Sequence, residues 1–554
     1  MSQNKFKLDY FLDYDLWINA INLTNFQINK MDSNKHYNTL NLIYFKKIID
    51  DYETVINSEN YFKKRVSNNF LYGLDEEFFI IKYPRPKNYF GIRKYYFFSY
   101  PLRISHYSIG LYLLKLSQEF ISDFINSNKN INSFYGGDLK FQDNELVLKS
   151  KDIYYLPHYK KYKYLLNKEL ENPKNKIVIR LDIENYFDNL SVKKMLIFLD
   201  EYIKHSKKSE FKFNSTTIEL INFFYKYLSE EETGIPQSDN DIISSFLGYL
   251  YLCFADLLID DEISKISNDI ISQYKIYRYM DDIFIILEFK EDEIETKTYS
   301  LKLASKIRDL LYNEFDLRIN NKTNLLKIED EGDKEEFINE FKNVSSGYSV
   351  NISEIETETE EDDENESQNN PQDKLNDIFE ELRQLKDLKS DIYLYKNENP
   401  IDEEVFKDIY NKNVQNIIYK EDNREELKNI FSDFNFDLVK IRPKEILVLI
   451  LKDEQIQNDF VEYFFEKDYL TINDVNLIIE YICQTGEEYK LFNKLRTDKN
   501  VGLIIELIDK SQVNIEKPGY YDLEFSKTEL IQEKMSIIKQ IELRELNEKK
   551  KIFQ

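Results

Sequence analysis

Asp281 and Asp282 sit side by side in Ile276-Tyr277-Arg278-Tyr279-Met280-Asp281-Asp282-Ile283-Phe284-Ile285-Ile286, a stretch that is otherwise apolar and aromatic apart from Arg278. Like charges a few ångströms apart repel and raise each other's pKa. An acid flanked by Ile and Phe is costly unless something pairs with it. A divalent cation removes both costs. A third acid, Asp182, ends the apolar run Lys176-Ile177-Val178-Ile179-Arg180-Leu181. Two strand-borne acids able to converge are the parts of a two-metal phosphoryl-transfer site.

The elements that must carry these acids can be read from apolar spacing and breakers. Lys176–Asp182 reads as a buried strand, and the Asp281-Asp282 pair reads as the turn between two strands. Helices are expected over Tyr107–Ile125, Val192–Tyr202, Thr217–Leu228, Asp241–Ile259 and Thr296–Phe315. Turns are expected at Phe134–Asp138 and at Gly234-Ile235-Pro236-Gln237-Ser238, and a short strand near Leu317-Arg318-Ile319. From Lys374 onward the chain reads as all-helical. Thr471 and Asp474 suit a helix start, Pro443 precedes an apolar run, and Ser526-Lys527-Thr528-Glu529 resembles a capping box.

The 554 residues suffice for about three or four domains. Aromatics are abundant, with 42 Tyr and 39 Phe against 1 Trp, and 42% of residues are hydrophobic, so a large core can form. The two cysteines, Cys253 and Cys483, lie far apart and fit a reducing compartment. No signal sequence is expected in the polar opening Met1–Lys7, and the apolar runs are too short or too charged to span a bilayer, so a soluble cytoplasmic protein with no membrane partner is expected. The net charge of −26 argues against a protein that grips a long duplex over a broad basic surface. Part of the excess is local: Glu354–Glu366 holds nine acids and no base. Residues 351 to about 373 therefore read as a solvated linker, with a regulatory acidic tail or nucleic-acid mimic as the other reading.

Three segments carry the chemistry in order: Leu181-Asp182-Ile183-Glu184-Asn185-Tyr186-Phe187-Asp188, then Gly234-Ile235-Pro236-Gln237, then Tyr279-Met280-Asp281-Asp282, with Asp281 99 residues after Asp182. They resemble motifs A, B and C of the reverse-transcriptase palm, and Asn320-Asn321-Lys322-Thr323 resembles the motif D region. The resemblance covers roughly residues 90 to 330. It departs at Ser238, where motif B usually has Gly. It implies an α+β right-hand polymerase, with fingers and palm of reverse-transcriptase type. Under that resemblance residues 1–170 are an N-terminal segment and fingers, 171–345 the palm, 346–373 the acidic linker and 374–554 an all-α helical-repeat or bundle domain.

The resemblance also implies roles. Asp182 and Asp281 would bridge two Mg²⁺ ions (Mn²⁺ is an admissible substitute), with the Ile183 carbonyl as a further ligand and Asp282 as a helper. Phe187 would close off a 2′-hydroxyl and so select deoxynucleotides. Gln237 would touch the incoming nucleotide. Arg93 and Lys94 would hold its triphosphate, and Lys322 would neutralise the leaving pyrophosphate; for these three a solvated cation is the other reading. Lys160, Lys161 and Lys163, among Tyr159, Tyr162 and Tyr164, read either as a single-strand platform or as ordinary packing.

The helical C-terminal half narrows the resemblance to bacterial abortive-infection and other defence-associated reverse transcriptases, the AbiK and AbiA group. That group implies untemplated DNA synthesis from dNTPs in a symmetric homo-oligomer. In its best-known members the DNA is primed from a tyrosine hydroxyl of the protein and stays covalently attached. Tyr10, Tyr14 and Tyr37 are the candidate primers, lying in the polar N-terminal region. Two alternatives remain open at this stage: a reverse transcriptase templated by a dedicated non-coding RNA, and an inactive palm used as an assembly scaffold.

Overall fold

The structure is a computed structural model, and it describes residues 8–32, 39–46, 57–63, 80–149, 155–171, 176–229, 233–237, 241–290, 295–320, 323–328, 370–387, 405–406, 408–410, 412–485 and 489–510, with isolated positions between 330 and 337. It is a mixed α/β protein. The first strands, β1 (Ile80–Pro86) and β2 (Ile92–Phe98), form a separate antiparallel hairpin. The main sheet has five strands: β3 (Ile131–Phe134), β4 (Lys176–Asp182), β5 (Ile271–Tyr279), β6 (Asp282–Phe289) and β7 (Asn324–Ile328). Their spatial order is β3-β5-β6-β4-β7, antiparallel throughout except for the parallel β3/β5 pair.

Every residue of β4 is buried, which is why it reads as a continuous rather than an alternating apolar run. Two helices flank the sheet on opposite faces. Arg278 reaches Asp256 on one face, whereas its neighbour Tyr279 packs on Tyr159 and Tyr162 on the other. The first face is covered by the helix Ile242–Ile270, which is apolar on nearly all sides; its segment Ile242–Lys265 is long and apolar enough to cross a membrane, and most of it is buried in this core. The second face is covered by the helix Tyr155–Glu169.

Several elements differ from the expected bounds: the helix expected over Asp241–Ile259 runs from Ile242 to Ile270, the one expected over Thr217–Leu228 spans Ser215–Ser229, and three further differences have physical reasons. The expected helix Tyr107–Ile125 begins at Tyr100 and runs to Ser127, with Pro101 in its first turn. Its buried Arg103 and His106 interrupt the apolar period that would have announced that first turn. The strand expected at Leu317–Ile319 is a single bridge, Ile183 to Ile319, and the paired strand follows at Asn324–Ile328. The chain is still closing the preceding helix there: Asp316 is left-handed with φ of 55° and the Leu317 N–H returns to the Leu311 carbonyl. The linker expected to end at 373 ends earlier, because Asn370 caps a helix that starts at Pro371. Most of the linker, and the Ser526 segment, lie outside the described residues.

The C-terminal half is helical wherever it is described. Its helix Ile472–Thr485 starts with reciprocal Thr471 and Asp474 side-chain bonds to each other's backbone N–H. This helix packs on β1. Arg85, fully inside the contact, pairs with Glu480 at 2.9 Å and donates to the Cys483 sulfur at 2.8 Å. The hairpin tip is held as well: Tyr89 and Phe90 are both left-handed, and their N–H groups donate to the Ile441 and Lys440 carbonyls. Arg442 lies over the Tyr89 ring. Breaking a buried pair from one side strands the other charge. Glu480→Gln is therefore expected to lower stability by about 3 kcal/mol in urea denaturation, while the double change Arg85→Met with Glu480→Leu recovers most of the loss.

Candidate active site

The sheet register brings the acids together. Asp182, the last residue of β4, is paired directly with Asp282, the first residue of β6. Asp281 occupies the two-residue loop, Met280-Asp281, between β5 and β6. Beyond Asp182 the chain makes one more bridge. The Asn320 N–H donates to the Asp182 carbonyl and the Glu184 N–H to the Arg318 carbonyl. This pattern closes around Ile183 without using the Ile183 carbonyl, which is left on the side of the acids. The Asn320 side-chain amide donates to the Asp182 carboxylate and fixes its orientation.

The two carboxylates meet in a partly dehydrated place. Burial first, and then the Asp182 charge, push the Asp281 carboxyl up to about 6; its own backbone and the cations Arg93 and Lys87 pull the other way. Asp282 has different company: Arg180 approaches it at 3.7 Å and Tyr162 packs beside it. Asp281 thus feels the Asp182 charge, and Asp282, directly across the sheet from Asp182, also has Arg180 beside it. Among the described residues no group of three or more His, Cys, Asp or Glu side chains forms a cation site. The donors at hand are the Asp182 and Asp281 carboxylates and the Ile183 carbonyl, oxygens that suit Mg²⁺ when water or phosphate oxygens complete the shell.

Two walls of the site are tied to one another. After Asp182, Asn185 turns left-handed (φ 44°) and starts the short helix Tyr186–Asn189, which carries Phe187. The loop at Gly234 is bonded onto this helix: Ile235 N–H to the Phe187 carbonyl, Gly234 N–H to the Leu190 carbonyl. Gly234 has φ of 111°, a conformation that excludes most side chains. The Gln237 carbonyl then accepts the Tyr96 N–H of β2, so this loop joins the short helix to the hairpin. Just after it, Asp241 caps the long core helix and pairs with Arg103 at 2.9 Å. His106 lies 3.9 Å from Asp241, and burial lowers it to about 4, so it stays neutral at pH 7. Ser238 lies outside the described residues.

The hairpin forms the third wall. The charge of Arg93 acts on Asp281, together with that of Lys87 from the hairpin turn, which the sequence reading missed. Lys94 follows Arg93 in a strand, so the two side chains point to opposite faces, and Lys94 is exposed. Of the two readings of the Tyr/Lys segment, packing describes two of its rings: Tyr162 is fully buried against Tyr279 and Phe284 and Tyr159 stacks edge-on to Tyr279, while Tyr164 is exposed. Tyr10 accepts a bond from Asn214, and Tyr14 donates to the Asn57 carbonyl, so both are engaged with groups other than Asp182 or Asp281. Lys322 and Tyr37 lie outside the described residues.

Tyr186 is a further residue that spacing did not single out. Its ring fills the space left by Gly248 of the core helix, where a Cβ would come within 2.8 Å of the Tyr186 hydroxyl and 3.1 Å of its ring edge. Gly248→Ala is expected to cost about 1–3 kcal/mol by overpacking, and Tyr186→Phe, which removes the nearest atom, should restore part of it in the double variant. A second expectation concerns pH. Because the folded-state value of Asp281 lies above its unfolded value, the folded chain binds the extra proton, and metal-free protein loses stability as pH rises from about 4 to about 6. Asp281→Asn should abolish this loss, leaving the variant more stable than the parent by up to about 3 kcal/mol at pH 8 in chelator and equal to it near pH 4. No known protein-family model matches the chain, and no curated protein matches it either.

Proposed function

We propose that this chain is a nucleotidyltransferase, a DNA polymerase of reverse-transcriptase type that adds deoxynucleotides without a template, acting in phage defence. The observation that carries the reading is the meeting of Asp182 and Asp281 at adjacent strand ends, with Phe187, the Gln237 loop and the cations Arg93 and Lys87 around them. In this reading Asp182, Asp281 and the Ile183 carbonyl hold two Mg²⁺ ions, and Asp282 supports the turn through Arg180. Such a metal pair, when bound, activates the attacking hydroxyl and stabilises the leaving pyrophosphate. Arg93 and Lys87 bind and orient the triphosphate, whose phosphates offset their charge. Phe187 excludes a 2′-hydroxyl, and the buried walls keep water from competing as the nucleophile.

Two observations favour untemplated over templated synthesis. The chain's own helix, Tyr155–Glu169, covers the sheet face beside the acids, where a template duplex would need room. The strongly acidic charge also disfavours a long phosphate contact. The deciding experiment incubates the full-length protein with dNTPs and Mg²⁺ in the absence of nucleic acid. We expect polymer, lost at least 10³-fold in Asp182→Asn and Asp281→Asn; Arg93→Ala should raise the dNTP KM about tenfold. Phe187→Ala should admit ribonucleotides. Product only when RNA is added would replace this reading by a templated one. A biological effect unchanged in both Asp variants would replace it by a scaffold.

A further inference from the structure

The turn that carries Asp281 is braced by groups that touch no reactant. Met280 has φ of 54°, a region where a side chain bearing Cβ is disfavoured by about 1 kcal/mol. Two-residue hairpin loops of this kind ordinarily take Gly, Asn or Asp there. Both ends of the Met280 peptide unit are held. Its N–H donates to the Phe134 carbonyl of β3 at 3.1 Å, and its carbonyl accepts from Arg278 Nη1 at 3.3 Å. Arg278 is wholly buried, and its fork is closed by Asp256 of the core helix, with Nη2 at 2.8 Å from Oδ2 and Nε at 3.0 and 2.9 Å from the two oxygens. Ser133, next to Phe134, donates to the same carboxylate at 2.6 Å. Arg278 also lies over the Tyr249 ring.

A buried ion pair is no better for stability than apolar side chains of the same volume, and is often worse. What apolar side chains cannot do is donate to the Met280 carbonyl. We infer that Arg278 and Asp256 are positioning residues: the pair holds the left-handed Met280 and so aims the Asp281 carboxylate at Asp182. Asp256 keeps the guanidinium planar fork in the one orientation that reaches the carbonyl, and Ser133 ties the arrangement to β3. The inference rests on the reading of Asp182 and Asp281 as a metal-holding pair, but its first readout does not.

The test compares the full-length parent with Arg278→Lys and with the double variant Arg278→Met and Asp256→Leu. Lys keeps the charge beside Asp256 but lacks the fork that reaches Met280 as well. The readouts are amide hydrogen exchange in the peptide spanning Tyr279–Ile283 and Mn²⁺ affinity by spin-resonance titration without nucleotide. We expect the double variant to unfold within a few degrees of the parent. Its exchange at the turn should rise at least tenfold, with the hairpin Ile80–Phe98 unchanged, and Mn²⁺ affinity should fall about tenfold. Asp281→Asn should lose Mn²⁺ without faster exchange. If the double variant does not fold, Arg278→Lys carries the same comparison. Unchanged exchange at the turn in a folded variant overturns the inference. Faster exchange in a protein whose parent binds no Mn²⁺ keeps the brace and overturns the metal reading instead.

Discussion

The repulsion between Asp182 and Asp281 is the constraint around which the rest of this structure is arranged. Left to themselves, two buried carboxylates would separate or take up a proton. Here β4 and the β5–β6 turn deny them the first escape, because both are anchored in the central strands β4 and β6, which are buried along nearly their whole length. The charges of Arg93 and Lys87 offset part of the Asp281 charge. The result is a site that is poor as a piece of core and well suited to a cation.

The same constraint explains the work of the helical C-terminal half. A two-stranded hairpin is marginal on its own, and β1–β2 must nevertheless present Arg93 and Lys87 at a fixed place. Its stiffness comes from outside: the buried Arg85–Glu480 pair on one flank, and at the tip two backbone donors given to the Ile441 and Lys440 carbonyls. The C-terminal helices therefore belong to the site's support, although they contribute no group to its centre among the described residues.

Much of this was legible in the sequence, and the misses share a cause. The sheet strands and the long core helix could be read because apolar residues dominate them, Asp182 and Asp281 stood out because acids interrupt such runs, and Phe187 was singled out by its place in the motif that the segment resembles. Arg103, His106, Arg278 and Asp256 were hidden, since each is a charged or polar residue inside an element, satisfied by a partner far along the chain. Spacing rules assign such residues to solvent. Arg278 did offer one signal, a lone cation in the middle of an apolar strand. Lys87 offered none, being a lysine in a turn. Arg93 and Lys94 look alike in the sequence, but adjacency in a strand puts them on opposite faces, and of the two it is the Arg93 charge that acts on Asp281.

Gly248 and Tyr186 share one volume. The two positions must therefore change size in opposite directions: a chain with a side chain at the helix position has room only for a smaller residue at the other. Since the Tyr186 hydroxyl also lies within electrostatic reach of Asp281, the bulk tolerated inside the core helix bears on a neighbour of that acid. A search for relatives of this chain can use that inverse size relation as a fingerprint, because one of its two residues, Gly248, lies outside every acid motif.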